Sequence, residues 1–222
     1  FAPLCATAQT KGPLPVNPVD AKNIETGKAP PALDPALERY GIYAASAPYP
    51  IKGEAMVTTL PLKLEEGDRI ALVGNGLLEQ AGRHGILEAM LYQAHPDLNL
   101  VIRNFAWSGD EVDLQPRPDN FATVAQHLTR EKIDVVFAAF GFNESFGGEA
   151  KLDEFRERLA KYLQELKTSA FNGKTGPKIV LLSPVAVEGA EEPVIGNLAL
   201  YTAAMAEVAT AGGVAFVDVF SP

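Results

Sequence analysis

Three short segments carry the residue types on which catalysis could be built. The first is Gly74-Asn75-Gly76, inside IALVGNGLLEQ. Glycines permit positive φ and close backbone approach. A helix opening near Leu77 would add free N–H groups and the positive end of its dipole. In a hydrolase a nucleophilic serine would sit here, although a plain strand-to-helix turn accounts for the same residues. The second segment is Asn104–Glu111, NFAWSGDE, where a glycine N–H could point into a crevice; a polar loop reads equally well. The third is Gly141–Ser145, GFNES. A rigidly held asparagine N–H₂ is a good oxyanion donor, and an asparagine after a strand is also a common turn residue or cap.

The elements that must position these segments alternate in type. Arg69–Val73, Leu98–Ile102, Ile133–Phe140, Lys178–Leu182 and Val214–Val219 are short apolar runs that predict five strands. Between them, Leu77–Ala94, Phe121–Arg130, Leu152–Leu166 and Ile195–Ala211 have apolar residues at helical spacing. The clearest is the stripe Leu152, Phe155, Leu159, Tyr162, Leu163 and Leu166. Near-continuous apolar strands indicate burial on both faces. The pattern predicts an α/β fold, a doubly wound five-stranded parallel sheet in a three-layer α/β/α sandwich with strand order 2-1-3-4-5. In such sheets ligands bind beyond the carboxyl ends of the strands. The three segments, and Ser183–Glu188, all fall there.

Residues 9–66 differ in composition. Pro13, Pro15, Pro18, Pro30, Pro31, Pro35, Pro48, Pro50 and Pro61 disfavour long helices and central strands. This stretch reads as a proline-rich extension with one short helix at Pro35–Tyr40, lying on the domain through apolar residues such as Ile42, Tyr43 and Tyr49; a disordered linker is the other reading. Residues 1–8 read as the remnant of a secretion signal, because FAPLCATA ends in Ala6-Thr7-Ala8. Export, to periplasm or extracellular space, is the expectation. The single cysteine, Cys5, excludes an internal disulfide framework and a cysteine-based zinc site. With a net charge of -9 and no basic run, nucleic acid is not an expected partner. No apolar run reads as a membrane span.

Taken together in this order, the three segments resemble the blocks of the SGNH hydrolase superfamily, also called GDSL esterases. Val73-Gly74-Asn75-Gly76 matches the frame of that family's strand followed by Gly-Asp-Ser. Asn104 to Glu111 resembles Asn-x-Gly-x-Ser-Gly-Asp-Thr. Gly141 to Glu144 resembles Gly-x-Asn-Asp, with Glu for Asp. The resemblance covers about residues 68–219. It implies a flavodoxin-like SGNH fold, no cofactor or metal, and hydrolysis of a small-molecule or glycan ester through an acyl-serine. It further assigns the Gly109 N–H and the Asn143 side-chain N–H₂ to an oxyanion hole.

Two departures stand out. The nucleophile position is Gly76, which has no hydroxyl, and the preceding aspartate is Asn75. The family's Asp-x-x-His block follows strand five, and this sequence stops at Pro222; truncation there is the expectation. His84, His95 and His127 all precede strand three and none occupies the block's place. Ser108, Ser145 and Ser183 are the substitute nucleophiles near the crevice. The expected function is therefore an SGNH-type esterase or carbohydrate deacetylase-like domain impaired in catalysis. The alternative is a degenerate domain that binds a glycan or a neighbouring domain. A narrower resemblance is to an SGNH subgroup in large exported bacterial proteins, where further domains follow, some with c-type haem. No Cys-x-x-Cys-His occurs here to hold one.

Overall fold

The computed structural model describes residues 44–221. The expected short helix at Pro35–Tyr40, the packing of Ile42 and Tyr43 and the Ala6-Thr7-Ala8 pattern lie outside the described residues.

The strands, in chain order, are β1 (Ile51–Lys52), β2 (Arg69–Gly74), β3 (Val101–Asn104), β4 (Val135–Ala139), β5 (Ser169–Ala170), β6 (Lys178–Leu182) and β7 (Ala215–Val217). The helices are α1 (Gly76–His84), α2 (Ile86–Ala94), α3 (Val124–Arg130), α4 (Leu152–Lys167) and α5 (Glu192–Gly212). Five strands form one parallel sheet in the order β3-β2-β4-β6-β7, which is the predicted 2-1-3-4-5. Alternate residues divide the core between its faces. Ala71, Val73, Val136 and Ala138 pack with Leu128 of α3 and the buried stripes of α4 and α5. Ile70, Leu72, Val135 and Phe137 pack with Leu78 of α1 and Leu87 and Leu91 of α2. Each fully buried Leu or Phe on the α4 stripe is worth about 1.5–3 kcal/mol.

The boundaries that moved have local causes. The single helix expected over Leu77–Ala94 breaks at Gly85, whose φ of 65° caps α1 and restarts the chain as α2. Helix α3 starts at Val124 instead of Phe121, because Thr123 and Gln126 form a capping box. Strand β3 starts at Val101 instead of Leu98, since Asn99 has a φ of 47°. The last strand ends at Val217, where Asp218 accepts N–H bonds from Phe220 and Ser221 and turns the chain. Helix α5 runs 21 residues and is long and apolar enough to cross a membrane, contrary to the expectation that no such run exists. Its Leu198, Tyr201, Ala204, Met205 and Ala209 are nevertheless buried in the core, as befits an internal helix.

Residues 44–66 form a strap, with little regular structure as the prolines imply. Tyr49 does not anchor it as expected, being 66% exposed. Leu62 and Leu64 do so instead, on the α1/α2 face. Hydrogen bonds do the rest, most of them at the amino ends of the strands, away from the expected site. β1 pairs antiparallel with β5. Thr58 donates its N–H to Gly213 O at 3.2 Å and accepts from Ile179 N at 2.9 Å. Lys178 Nζ donates to Lys63 O at 3.0 Å.

Thr58→Val should therefore destabilise the domain by about 1–3 kcal/mol, the cost of leaving the buried Ile179 N–H unpaired, whereas Thr58→Ser should retain most of the stability. Urea denaturation of the three proteins checks this; equal midpoints for parent and valine variant would mean that the strap does not support the sheet.

Candidate active site

The three segments are gathered by backbone bonds at the carboxyl end of the sheet. Gly74 has a φ of 117°, and a Cβ there would lie 2.0 Å from Ala139 O. Only glycine lets β2 and β4 approach so closely before the chain turns into α1. Asn75 N donates to Ala139 O at 3.0 Å, Phe105 N to Leu72 O at 2.8 Å and Trp107 N to Gly74 O at 2.9 Å. Asn104 joins the loop after β3 to α1: its Nδ2 donates to Leu78 O at 2.7 Å and its Oδ1 accepts from Ala106 N. Gly82 leaves room for that side chain, since a Cβ there would stand 1.8 Å from Asn104 Nδ2.

Gly76 is the first residue of α1. A Cβ on it would meet only Ser108 Oγ, at 3.7 Å, which is ordinary van der Waals contact. Asn143 Nδ2 donates to Ser108 O at 2.8 Å and to Asp110 O at 3.0 Å. Gly76, Gly109 and Asn143 thus come together around the Trp107–Asp110 turn. Both protons of the Asn143 amide are engaged by that turn. Gly109 is exposed, and a Cβ on it would meet nothing within 4 Å. Asn75 is only 2% exposed and its Nδ2 has no protein partner, so a donor is also buried at the position of the family's aspartate.

Four groups to which the sequence reading gave no role shape the site, two of them, Asp110 and Glu144, inside the quoted segments. Glu79 accepts from both the N–H and the hydroxyl of Ser108, and the hydroxyl bond holds its carboxyl below the usual value. Glu79 stands three residues after Gly76, on the first turn of α1, and that spacing was the available signal. Glu144 is buried and accepts from Val112 N at 3.0 Å and Gly141 N at 2.8 Å, tying the second segment to the third. Burial pushes its pKa up, against the pull of those N–H bonds. Asp110 and Arg117 form a bidentate pair at 2.7 Å whose side chains are 2% and 11% exposed. The Arg117 guanidinium also lies 4.1 Å from the centroid of the Trp107 ring. No periodicity marks Arg117, which sits between two prolines.

The substitute serines separate clearly. Ser145 is buried and donates to Phe142 O at 2.7 Å. Ser183 is buried, donates to Pro184 O and accepts from Val219 N. Both are structural, and of the three only Ser108 is exposed, beside Gly76. His127 stacks on Phe105 with ring centroids 5.7 Å apart, and burial lowers its pKa. His84 lies in the last turn of α1 and His95 caps α2. No described contact brings any of the three to Gly76, Gly109 or Asn143. Among the described residues no cluster of side chains could hold a metal.

Glu144 makes a pH test of this arrangement. Its folded pKa lies above the 4.5 of an ordinary glutamate, so the folded state holds the proton more tightly than the unfolded one. The stability it contributes is present below that ordinary value and is lost as pH rises through the folded pKa. The parent should therefore lose stability relative to Glu144→Gln as pH rises from below 4.5 through the raised folded pKa. Urea unfolding of both proteins across that range is the measurement, and a parent advantage that grows with pH would contradict it.

A profile of the GDSL-like lipase/acylhydrolase family matches residues 67–222. No curated protein matches the sequence. Solved structures of similar fold include LAE5, an alpha/beta hydrolase enzyme from the metagenome of Lake Arreo, at 18% identity and a TM-score of 0.51, covering 71% of this chain and 79% of that one. Est24, a carbohydrate acetylesterase from Sinorhizobium meliloti, gives 14% identity and a TM-score of 0.50, covering 68% and 84%. A lipase/acylhydrolase from Enterococcus faecalis gives 18% and 0.50, covering 69% and 76%. With the family profile spanning most of the chain and the three segments standing at adjoining strand ends, the chain belongs to the GDSL-like lipase/acylhydrolase family.

Proposed function

We propose that this is an esterase domain of the carbohydrate-deacetylase kind whose acyl-serine route is impaired, so that it engages an ester without turning it over at a useful rate. The observation that carries the reading is the position of Gly76. It opens α1 beside the Gly109 turn and Asn143, where the family's nucleophile would stand, and it supplies no oxygen to attack a carbonyl. The Gly109 N–H and the Asn143 amide are the groups we assign to a substrate carbonyl oxygen. The shared fold with a carbohydrate acetylesterase supports the choice of substrate class. Export, inferred from Ala6-Thr7-Ala8, would suit a glycan ester.

A degenerate, non-catalytic domain that binds a glycan or a neighbouring domain is the second reading, and one observation favours it. The Asn143 amide spends both protons on the carbonyls of Ser108 and Asp110, so a substrate oxygen would have to compete for them. Ser108 is the remaining candidate nucleophile. Its Glu79 partner is a weak base, because the hydrogen bond from Ser108 stabilises the ionised carboxylate.

The unmodified chain should hydrolyse 4-nitrophenyl acetate no faster than buffer. A protein carrying Gly76→Ser together with an Asp-x-x-His block after β7 should be faster by at least about a hundredfold, the lower range of what a positioned general base contributes. Robust turnover by the unmodified chain that disappears in Ser108→Ala would place the nucleophile at Ser108 and sink the proposal.

A further inference from the structure

Helix α2 is apolar on both of its sides. Leu87 and Leu91 pack inward against the sheet. On the outward side Ile86 and Met90 are each 62% exposed and Tyr92 is 45% exposed. Ala89 and Gln93, also exposed, stand among them, so that Ile86, Ala89, Met90 and Gln93 form one stripe at helical spacing. None of the helix's residues is fully buried. Its single charge, Glu88, is half-buried and belongs to neither stripe. A helix that is apolar all round is normally covered on all sides, and a contiguous exposed apolar patch marks an interaction surface.

We propose that the outward face of α2 pairs with the same face of a second copy of this chain, antiparallel, about a twofold axis at Met90. The pairing stands whether or not the domain cleaves an ester.

Charge selects a second copy over other occupants. The chain carries a net charge of -9, so two copies repel wherever acidic surfaces meet. The stripe on α2 has no charge of either sign, and there two copies can touch without that penalty. The flanks are complementary. Exposed Arg83 precedes α2, exposed Asp97 follows it, and the two lie equally far from Met90 along the sequence. A twofold axis at Met90 sets Arg83 of each copy against Asp97 of the other, since a contact from one residue to a second is repeated in reverse by that symmetry. The Arg83 side chain is 63% exposed and gives only one bond at 3.2 Å to Glu79, which leaves donors to spare. Antiparallel helices also bring opposite dipole ends together. A membrane surface fits less well, because α2 has none of the Lys or Arg residues that draw an interfacial helix to lipid headgroups. At nine residues α2 is about 14 Å long. That supports an interface smaller than the roughly 1,200–2,000 Å² of stable complexes, so association is weak and depends on concentration.

Sedimentation equilibrium of the whole chain between about 1 μM and about 1 mM spans the affinities such an interface can reach. The mass should rise from 23.7 kDa toward twice that value. Met90→Arg should weaken association at least about tenfold, because like charges would meet at the axis, with unchanged thermal unfolding. Asp97→Arg should weaken it as well, and adding Arg83→Asp to that variant should recover it. Hydroxyl-radical oxidation of Met90, with buried Met205 as the reference, should fall as the concentration rises. A parent that stays at 23.7 kDa, a dimer that Met90→Arg leaves intact, or a charge swap without recovery would each overturn the pairing. So would a Met90 equally protected at the lowest concentration, which would mean that another part of the same chain covers α2.

Discussion

The carbonyl of Ala139 occupies the space that a side chain on Gly74 would need. From that one contact the rest of the carboxyl end follows. It lets β2 and β4 close up to their last residues, passes Asn75 N onto the same carbonyl, and leaves Gly74 O free to receive Trp107 N. Three loops that are far apart in sequence are thereby drawn to one place before any side chain takes part. Any residue with a Cβ at this position would have to move a backbone carbonyl, and the neighbouring strand with it.

Buried polar groups then fix the loops that backbone bonds have gathered. Glu144 reaches two backbone donors on different segments, and Asp110 is neutralised by Arg117 while Arg117 also covers one face of Trp107. Breaking such a buried pair typically costs about 3–5 kcal/mol, because the surviving charge is stranded. Polar interior groups of this kind contribute more to geometry than to stability. Here they hold the Ser108–Asp110 turn against Asn143, whether the domain cleaves an ester or only grips one.

Much of the architecture was legible because it rests on periodicity. Strands such as Val135–Ala139 are apolar on both faces, and the Leu152–Leu166 stripe repeats at helical spacing, so the five strands of the parallel sheet and their order followed, while the short β1–β5 pair did not. The errors fell where one residue's backbone conformation overrides a run: Gly85 dividing a helix, Asn99 delaying a strand, Thr123 setting a start. Motif order also led to Gly76, Gly109 and Asn143, which the fold brings together around the Trp107–Asp110 turn. What sequence could not give was partnership. Nothing in the spacing of Glu79 and Ser108, 29 positions apart, or of Arg117 among its prolines, announces a contact that exists only after folding.

The strap has a mechanical meaning. Because Thr58 bonds to Gly213 O and to Ile179 N, and Lys63 to Lys178, a pull on the chain ahead of residue 44 would not peel β2 from the sheet directly. Load would first meet the bonds of Ala44 and Ala47 to Asn120 and Gln126, at the start of α3, and then the roots of β6 and β7 and the β1–β5 pair, in shear. The sheet itself would be shielded until both sets of bonds give way.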